Sequence, residues 1–131
     1  EAKEILLKGG PSVVALYGNL GSGKTTVVQF LAKELGIKEK ILSPTFPIIK
    51  IFPIPRSQRI VSGFGAFVHI DTYRLNSAKD LTSLDLKKLL KDKENILVIE
   101  WPEKIERYLP NDTIRLYFEV VGEKERKVVI K

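Results

Sequence analysis

The chain has 131 residues, 44% of them hydrophobic and 29% charged, with a net charge of +6 and no cysteine. A single domain over residues 1–131 is expected, burying roughly two-thirds of its unfolded surface, and a disulfide framework or thiolate metal site is excluded. The longest apolar runs are only a few residues, too short to cross a membrane as a helix, and the N-terminus carries no signal-peptide pattern, so a cytoplasmic protein without a membrane partner is expected.

Residues 12–17, SVVALY, are an apolar run ending at Gly18, as a buried strand would be. Residues 24–35, KTTVVQFLAKEL, put Val27, Val28, Leu31 and Leu35 on one helical face, and Gly36 is placed to stop the helix. PIIKIF (47–52) reads as a short strand, after which Pro53, Pro55, Gly63 and Gly65 predict a turn-rich excursion. AFVHI (66–70) is another strand. SLDLKKLLKD (83–92) is helical, with Leu84, Leu86, Leu89 and Leu90 as its apolar set. ILVIE (96–100) is a central strand, TIRLYFEV (113–120) alternates, and KVVI (127–130) closes the sheet. Strands alternating with helices early and strands alone late predict an α/β fold. Its sheet is mostly parallel, with antiparallel strands toward the C-terminus.

The first strand-to-helix junction, GNLGSGKTT (18–26), satisfies G-x-x-x-x-G-K-[ST] with Gly18, Gly23, Lys24 and Thr25. Glycines let consecutive backbone N–H groups turn inward onto phosphate oxygens, and the following helix adds the positive end of its dipole. Gly18, Gly21, Ser22, Gly23, Lys24, Thr25 and Thr26 are therefore the expected nucleotide-binding residues, with the Lys24 ammonium on the β- and γ-phosphates and the Thr25 hydroxyl on Mg²⁺. Together with the strand pattern this predicts a three-layer sandwich like that of P-loop NTPases.

Two strands end in acid, at Asp71 and at Glu100. Ligands of open α/β sheets bind at the carboxyl ends of the parallel strands, so both acids should open onto the phosphate loop. One would hold Mg²⁺ and the other could orient the attacking water. The chain lacks N-K-x-D, and Asp71 is followed by TYR rather than x-x-G, which favours ATP over GTP. His69, the single histidine, reads as a structural strand residue, Trp101 as core and Thr45 as a loop hydroxyl. From Lys40 to Ile70 there is no acid, only Lys40, Lys50, Arg56 and Arg59 as charges. This stretch is either a solvated basic loop or a field for phosphates or nucleic acid.

Taken in order and spacing, GNLGSGKTT, SPTF (43–46), HIDTYRL (69–75) and IEWPEKIE (99–106) resemble the TsaE (YjeE) family, from about Val13 to about Val121. The resemblance implies a small ATPase that acts with TsaB and TsaD subunits, and through them on tRNA, to install threonylcarbamoyl on an adenosine beside the anticodon. It implies Thr25 and Glu100 as Mg²⁺ holders, Asp71 as the residue serving hydrolysis, Thr45 as a sensor of the γ-phosphate, and Trp101 beside the nucleotide. Pro47 and KIF (50–52) depart from the family's usual continuation of SPTF. Two other readings stand beside it: a regulatory module that binds nucleotide with negligible turnover, and a small-molecule kinase.

Overall fold

The computed structural model describes residues 12–18, 23–39, 41, 49–73, 83–120 and 126–130. The apolar run after Ser12 is strand β1, Val13–Tyr17. It lies in the middle of a six-stranded sheet, hydrogen-bonded in parallel on both sides. A strand so placed is covered on both faces, which is why it is continuously apolar rather than alternating.

Helix α1, Lys24–Glu34, follows the loop. Val28, Leu31, Ala32 and Leu35 are buried, with Val27 partly so. Gly36 ends the helix at φ 83°, and the amide N–H groups of Gly36 and Ile37 donate to the carbonyls of Lys33 and Ala32, each at 3.0 Å. This pair of bonds is the Schellman arrangement, in which a left-handed residue caps the last free carbonyls.

Strand β2, Ile49–Pro53, leads into a helix, α2, Arg56–Ser62, where the sequence predicts only turns. The prolines and glycines there bound a short helix instead of breaking the chain. Pro55 precedes its first residue with φ −54°, and Gly63 closes it in the left-handed region at φ 79°. Strand β3, Ala66–Asp71, helix α3, Ser83–Lys91, and strand β4, Asn95–Glu100, follow. A 3₁₀ segment, Pro102–Tyr108, precedes β5, Ile114–Val120, and β6, Arg126–Ile130.

The strand order is β2-β3-β4-β1-β5-β6. The inner pairs β3–β4, β4–β1 and β1–β5 are parallel, and both edge pairs, β2–β3 and β5–β6, are antiparallel. The mostly parallel sheet with an antiparallel C-terminal strand is thus as expected, and β2 adds an antiparallel edge that the sequence pattern did not distinguish. Alternate residues of each inner strand feed two cores. Val14, Leu16, Phe67, Ile96 and Val98 meet α1 on one face. Val13, Ala15, Val68, Ile70, Leu97 and Ile99 meet Leu86 and Leu90 of α3, and Ile105, on the other. Each of the Val, Leu, Ile and Phe side chains among these stabilises the fold by about 1.5–3 kcal/mol when fully buried. Among the described residues no helix is long and apolar enough to cross a membrane.

The 3₁₀ segment is fastened to the sheet by Glu106, which accepts from the Tyr17 hydroxyl and pairs with Arg115 at 2.8 Å. Burial, and then the Glu106 carboxylate, pushes the Tyr17 phenol up. Its ring stacks on Tyr117 with centroids 4.6 Å apart.

The α1 terminus gives a direct test of the packing. A Cβ on Gly36 would lie 2.9 Å from Cγ of Gln58 and would occupy a left-handed backbone. Gly36→Ala is expected to lower unfolding free energy by about 1–2 kcal/mol, read from the urea midpoint at unchanged m-value; an unmoved midpoint would reject this account of the α1–α2 junction.

Candidate functional site

Parallel pairing sets the ends of β1, β4 and β3 side by side, with Leu16 opposite Glu100 and Glu100 opposite Asp71. Gly18, at φ 142°, leaves β1 there, and Gly23, at φ 99°, brings the chain into α1. The first two residues of that helix, Lys24 and Thr25, consequently sit over the two strand-end acids.

Glu100 is 2% exposed. A carboxylate withdrawn from water costs several kcal/mol unless its oxygens find donors, and here both do. The Thr25 hydroxyl donates to Oε1 at 3.1 Å. His69 Nε2 lies 2.6 Å from Oε2. Because a carboxylate can only accept, the ring hydrogen belongs on Nε2.

Lys24 is also buried. Its Nζ donates to the Gly18 carbonyl and stands 3.4 Å from the centroid of the Trp101 ring. Such a cation–π contact contributes about 0.5–2 kcal/mol. Burial pushes the Lys24 ammonium below its usual range, opposed chiefly by the charge of Glu100.

Trp101 owes its position to strain. It is the one non-glycine residue with positive φ among those described, at 58°, and the left-handed region costs a residue with a Cβ roughly 1–2 kcal/mol. Thr72, fully buried, donates its hydroxyl to the carbonyls of Glu100 and Trp101, and its N–H to that of Glu100 at 3.1 Å. Pro102 then opens the 3₁₀ segment. The indole is turned back onto Lys24, with Tyr73 against it at 4.8 Å between centroids.

Asp71 closes the group. Its Oδ1 accepts from the Tyr73 N–H at 3.0 Å. Burial pushes this carboxyl above the ordinary range, partly offset by that hydrogen bond.

The chain matches the family model described as threonylcarbamoyl adenosine biosynthesis protein TsaE over residues 2–128. The chain belongs to the TsaE family. A tRNA threonylcarbamoyladenosine biosynthesis protein TsaE of Treponema pallidum is 34% identical over 119 residues, 91% of this chain and 81% of that one. The one of Aquifex aeolicus is 38% identical over 133 aligned positions, 98% of this chain and 84% of that one. The crystal structure of YdiB from Bacillus subtilis superposes with a TM-score of 0.63 at 26% identity, over 92% of this chain and 67% of that one.

Of the residues expected from sequence at this TsaE site, Gly18, Gly23, Lys24, Thr25, Asp71, Glu100 and Trp101 gather at one end of the sheet. Thr26 lies on the exposed side of α1. Gly21, Ser22 and Thr45 lie outside the described residues. Trp101 is partly exposed and sits on Lys24, rather than in the core that its apolar character suggested. His69, read from sequence as a structural strand residue, is the hydrogen-bond partner of Glu100. Thr72 was not singled out; a hydroxyl following a strand-end acid was the available signal.

Asp71 carries a linkage consequence. A carboxyl whose folded value is raised contributes stability that is full below the ordinary carboxylate range and is lost as pH rises through the folded value. Asp71→Asn keeps the acceptor for Tyr73 and removes the buried charge. Thermal midpoints against pH are expected to converge with wild type in acid and to exceed it at neutral pH. Parallel curves would contradict the assignment.

Proposed function

We propose that this TsaE-family protein binds and hydrolyses ATP with Mg²⁺, as a subunit in threonylcarbamoyl modification of tRNA adenosine, acting with TsaB- and TsaD-type partners. The reading is carried by one observation: the Thr25 hydroxyl meets the buried Glu100 carboxylate at 3.1 Å, beside the Lys24 ammonium of the phosphate-loop motif. The names of the curated relatives support the pathway.

The donors fit a hard divalent cation. Thr25 and Glu100 offer a hydroxyl and a carboxylate oxygen, ligand types that Mg²⁺ takes. Among the described residues no three His, Asp or Glu side chains form a metal cage of their own, which suits an ion that arrives with its nucleotide. When bound, held by the Thr25 hydroxyl and the Glu100 carboxylate, Mg²⁺ would neutralise charge that develops in phosphoryl transfer. Lys24 exchanges the Gly18 carbonyl and the indole for phosphate oxygens. Asp71, held by the Tyr73 N–H, would orient the water that attacks the γ-phosphorus and accept its proton, as the bond from that phosphorus to the β,γ-bridging oxygen breaks and ADP leaves.

Lys24→Ala is expected to weaken ATP binding by about 1.5–3 kcal/mol through loss of charge-assisted hydrogen bonds. Calorimetric titration reads this directly, and Trp101, the only tryptophan, should change its emission as nucleotide draws Lys24 from its ring. Unaltered affinity together with silent emission would remove the nucleotide reading.

The partner surface proposed is α2 with β2. Ile60 is 90% exposed, Val61 63% and Ile51 54%, and the same two elements carry the exposed Lys50 and Arg56. Arg59, also exposed, is committed at Nε to the Ile54 carbonyl at 2.8 Å, so charge reversal there would disturb α2 itself. A P-loop enzyme completed by a partner gains on the order of 10³–10⁵ in rate when that partner supplies the missing charge. Arg56→Glu combined with Ile60→Ser is expected to abolish most of the stimulation by a TsaB–TsaD complex while leaving ATP affinity within about twofold, a loss that added salt should reduce where the charge dominates. Full turnover of the isolated chain, indifferent to partners, would favour a stand-alone ATPase or kinase instead.

A further inference from the structure

His69 stands on β3 two places before Asp71, in a register that sets His69 opposite Val98 and Asp71 opposite Glu100. Opposed residues of parallel strands share a face, so His69 reaches Glu100 on the diagonal, from beneath. It is 1% exposed, and its Nε2 lies 2.6 Å from Oε2. The other carboxylate oxygen, Oε1, meets the Thr25 hydroxyl. The two oxygens of Glu100 are thus divided: one is held by His69 in the sheet and one is turned toward Thr25 of α1.

We propose that His69 is a positioning residue for the metal site: by anchoring Oε2 it fixes the rotation of the Glu100 carboxylate, so that Oε1 alone is presented to a divalent cation beside Thr25. This rests on the Mg²⁺–nucleotide reading above. Left to rotate, a carboxylate would offer either oxygen, or both, and lose the single-point geometry that a small octahedral ion requires. A hydrogen-bond partner behind a ligand does this work in metal sites generally, and its removal typically weakens metal binding about 10–100-fold. His69 touches neither phosphate nor reacting water in this assignment; it acts through Glu100.

The test uses the full chain and Mn²⁺ as probe, titrated by electron paramagnetic resonance in saturating ADP, with ADP affinity measured separately in chelator. His69→Asn, whose amide falls short of the Nε2 position, is expected to weaken Mn²⁺ about 10–100-fold and to leave metal-free ADP affinity within about twofold. His69→Gln, whose amide reaches that position, should recover most of the loss. In a Glu100→Gln background His69→Asn should add less than about twofold, since residues acting as one unit are not additive. Nitrogen NMR of the wild type supplies a reading that needs no variant: the single imidazole should shift at Nε2 when Mg²⁺ joins the ADP complex.

Equal Mn²⁺ affinity in His69→Asn and wild type, or an unmoved imidazole signal, overturns the proposal alone. So does an equal loss in metal-free ADP binding, or one that persists undiminished in the Glu100→Gln background, which would mark a merely structural histidine. Wild-type protein that binds neither ADP nor Mn²⁺ with ADP overturns the nucleotide reading, and this proposal with it.

Discussion

Glu100 ends a strand whose five residues from Ile96 onward are buried, and its carboxylate is buried with them. An unmet charge in that position would cost several kcal/mol, a large part of the marginal stability of a domain this size. Two side chains meet it, and a third holds its backbone. Thr25 comes from the first turn of α1, His69 from the middle of β3, and Thr72 from the residue after β3, where it holds the Glu100 backbone rather than its side chain. The sheet and helix α1 are therefore tied together at this carboxylate.

The sheet order makes that placement possible. β1 is next to β4, and β4 next to β3, all pointing one way, so a loop leaving β1 and two acids ending β3 and β4 must converge at the same edge. The two strands that run against this direction are kept to the outside. Alternation then divides labour along each inner strand. In β4 the residues facing α1 are Ile96, Val98 and finally Glu100, so the face that builds the core becomes, at its last position, the face that builds the site.

Much of this was legible in the sequence, for local reasons. The glycine spacing of the loop, the apolar run of β1, the helical period of α1 and the strand-end acids are each specified by neighbours a few residues apart. The unread parts have non-local causes. The seven-residue helix α2 is bounded by Pro55 and Gly63 and lacks an acid in its first turn, so its ends look like turns and its interior is too short for a periodic signal. The antiparallel course of β2 depends on which strand it pairs with, which no local pattern states. His69 meets Glu100 across a register offset between strands separated by 31 residues of chain, and from sequence it could be told only as a histidine in an apolar strand. Trp101 is a similar case, since its aim depends on a left-handed turn that its residue type does not favour.

The contacts in the site differ in how readily they can be exchanged, and the difference follows from burial. Lys24 holds a neutral carbonyl and a ring face. Under the proposed function either would be exchanged for phosphate, because an incoming anion offers more to a desolvated ammonium than a neutral dipole does. The Thr25–Glu100 bond is of the same kind: a hydroxyl can turn its hydrogen away and present a lone pair in the same place. The His69–Glu100 contact is not. At 2.6 Å and with both side chains almost wholly excluded from water, its loss would leave a buried donor and a buried acceptor unpaired together. A site so built can change partners on its α1 side while its sheet side stays fixed. Under the proposed function, that asymmetry would let the Glu100 oxygen facing Thr25 take part in chemistry without loosening the strand that carries it.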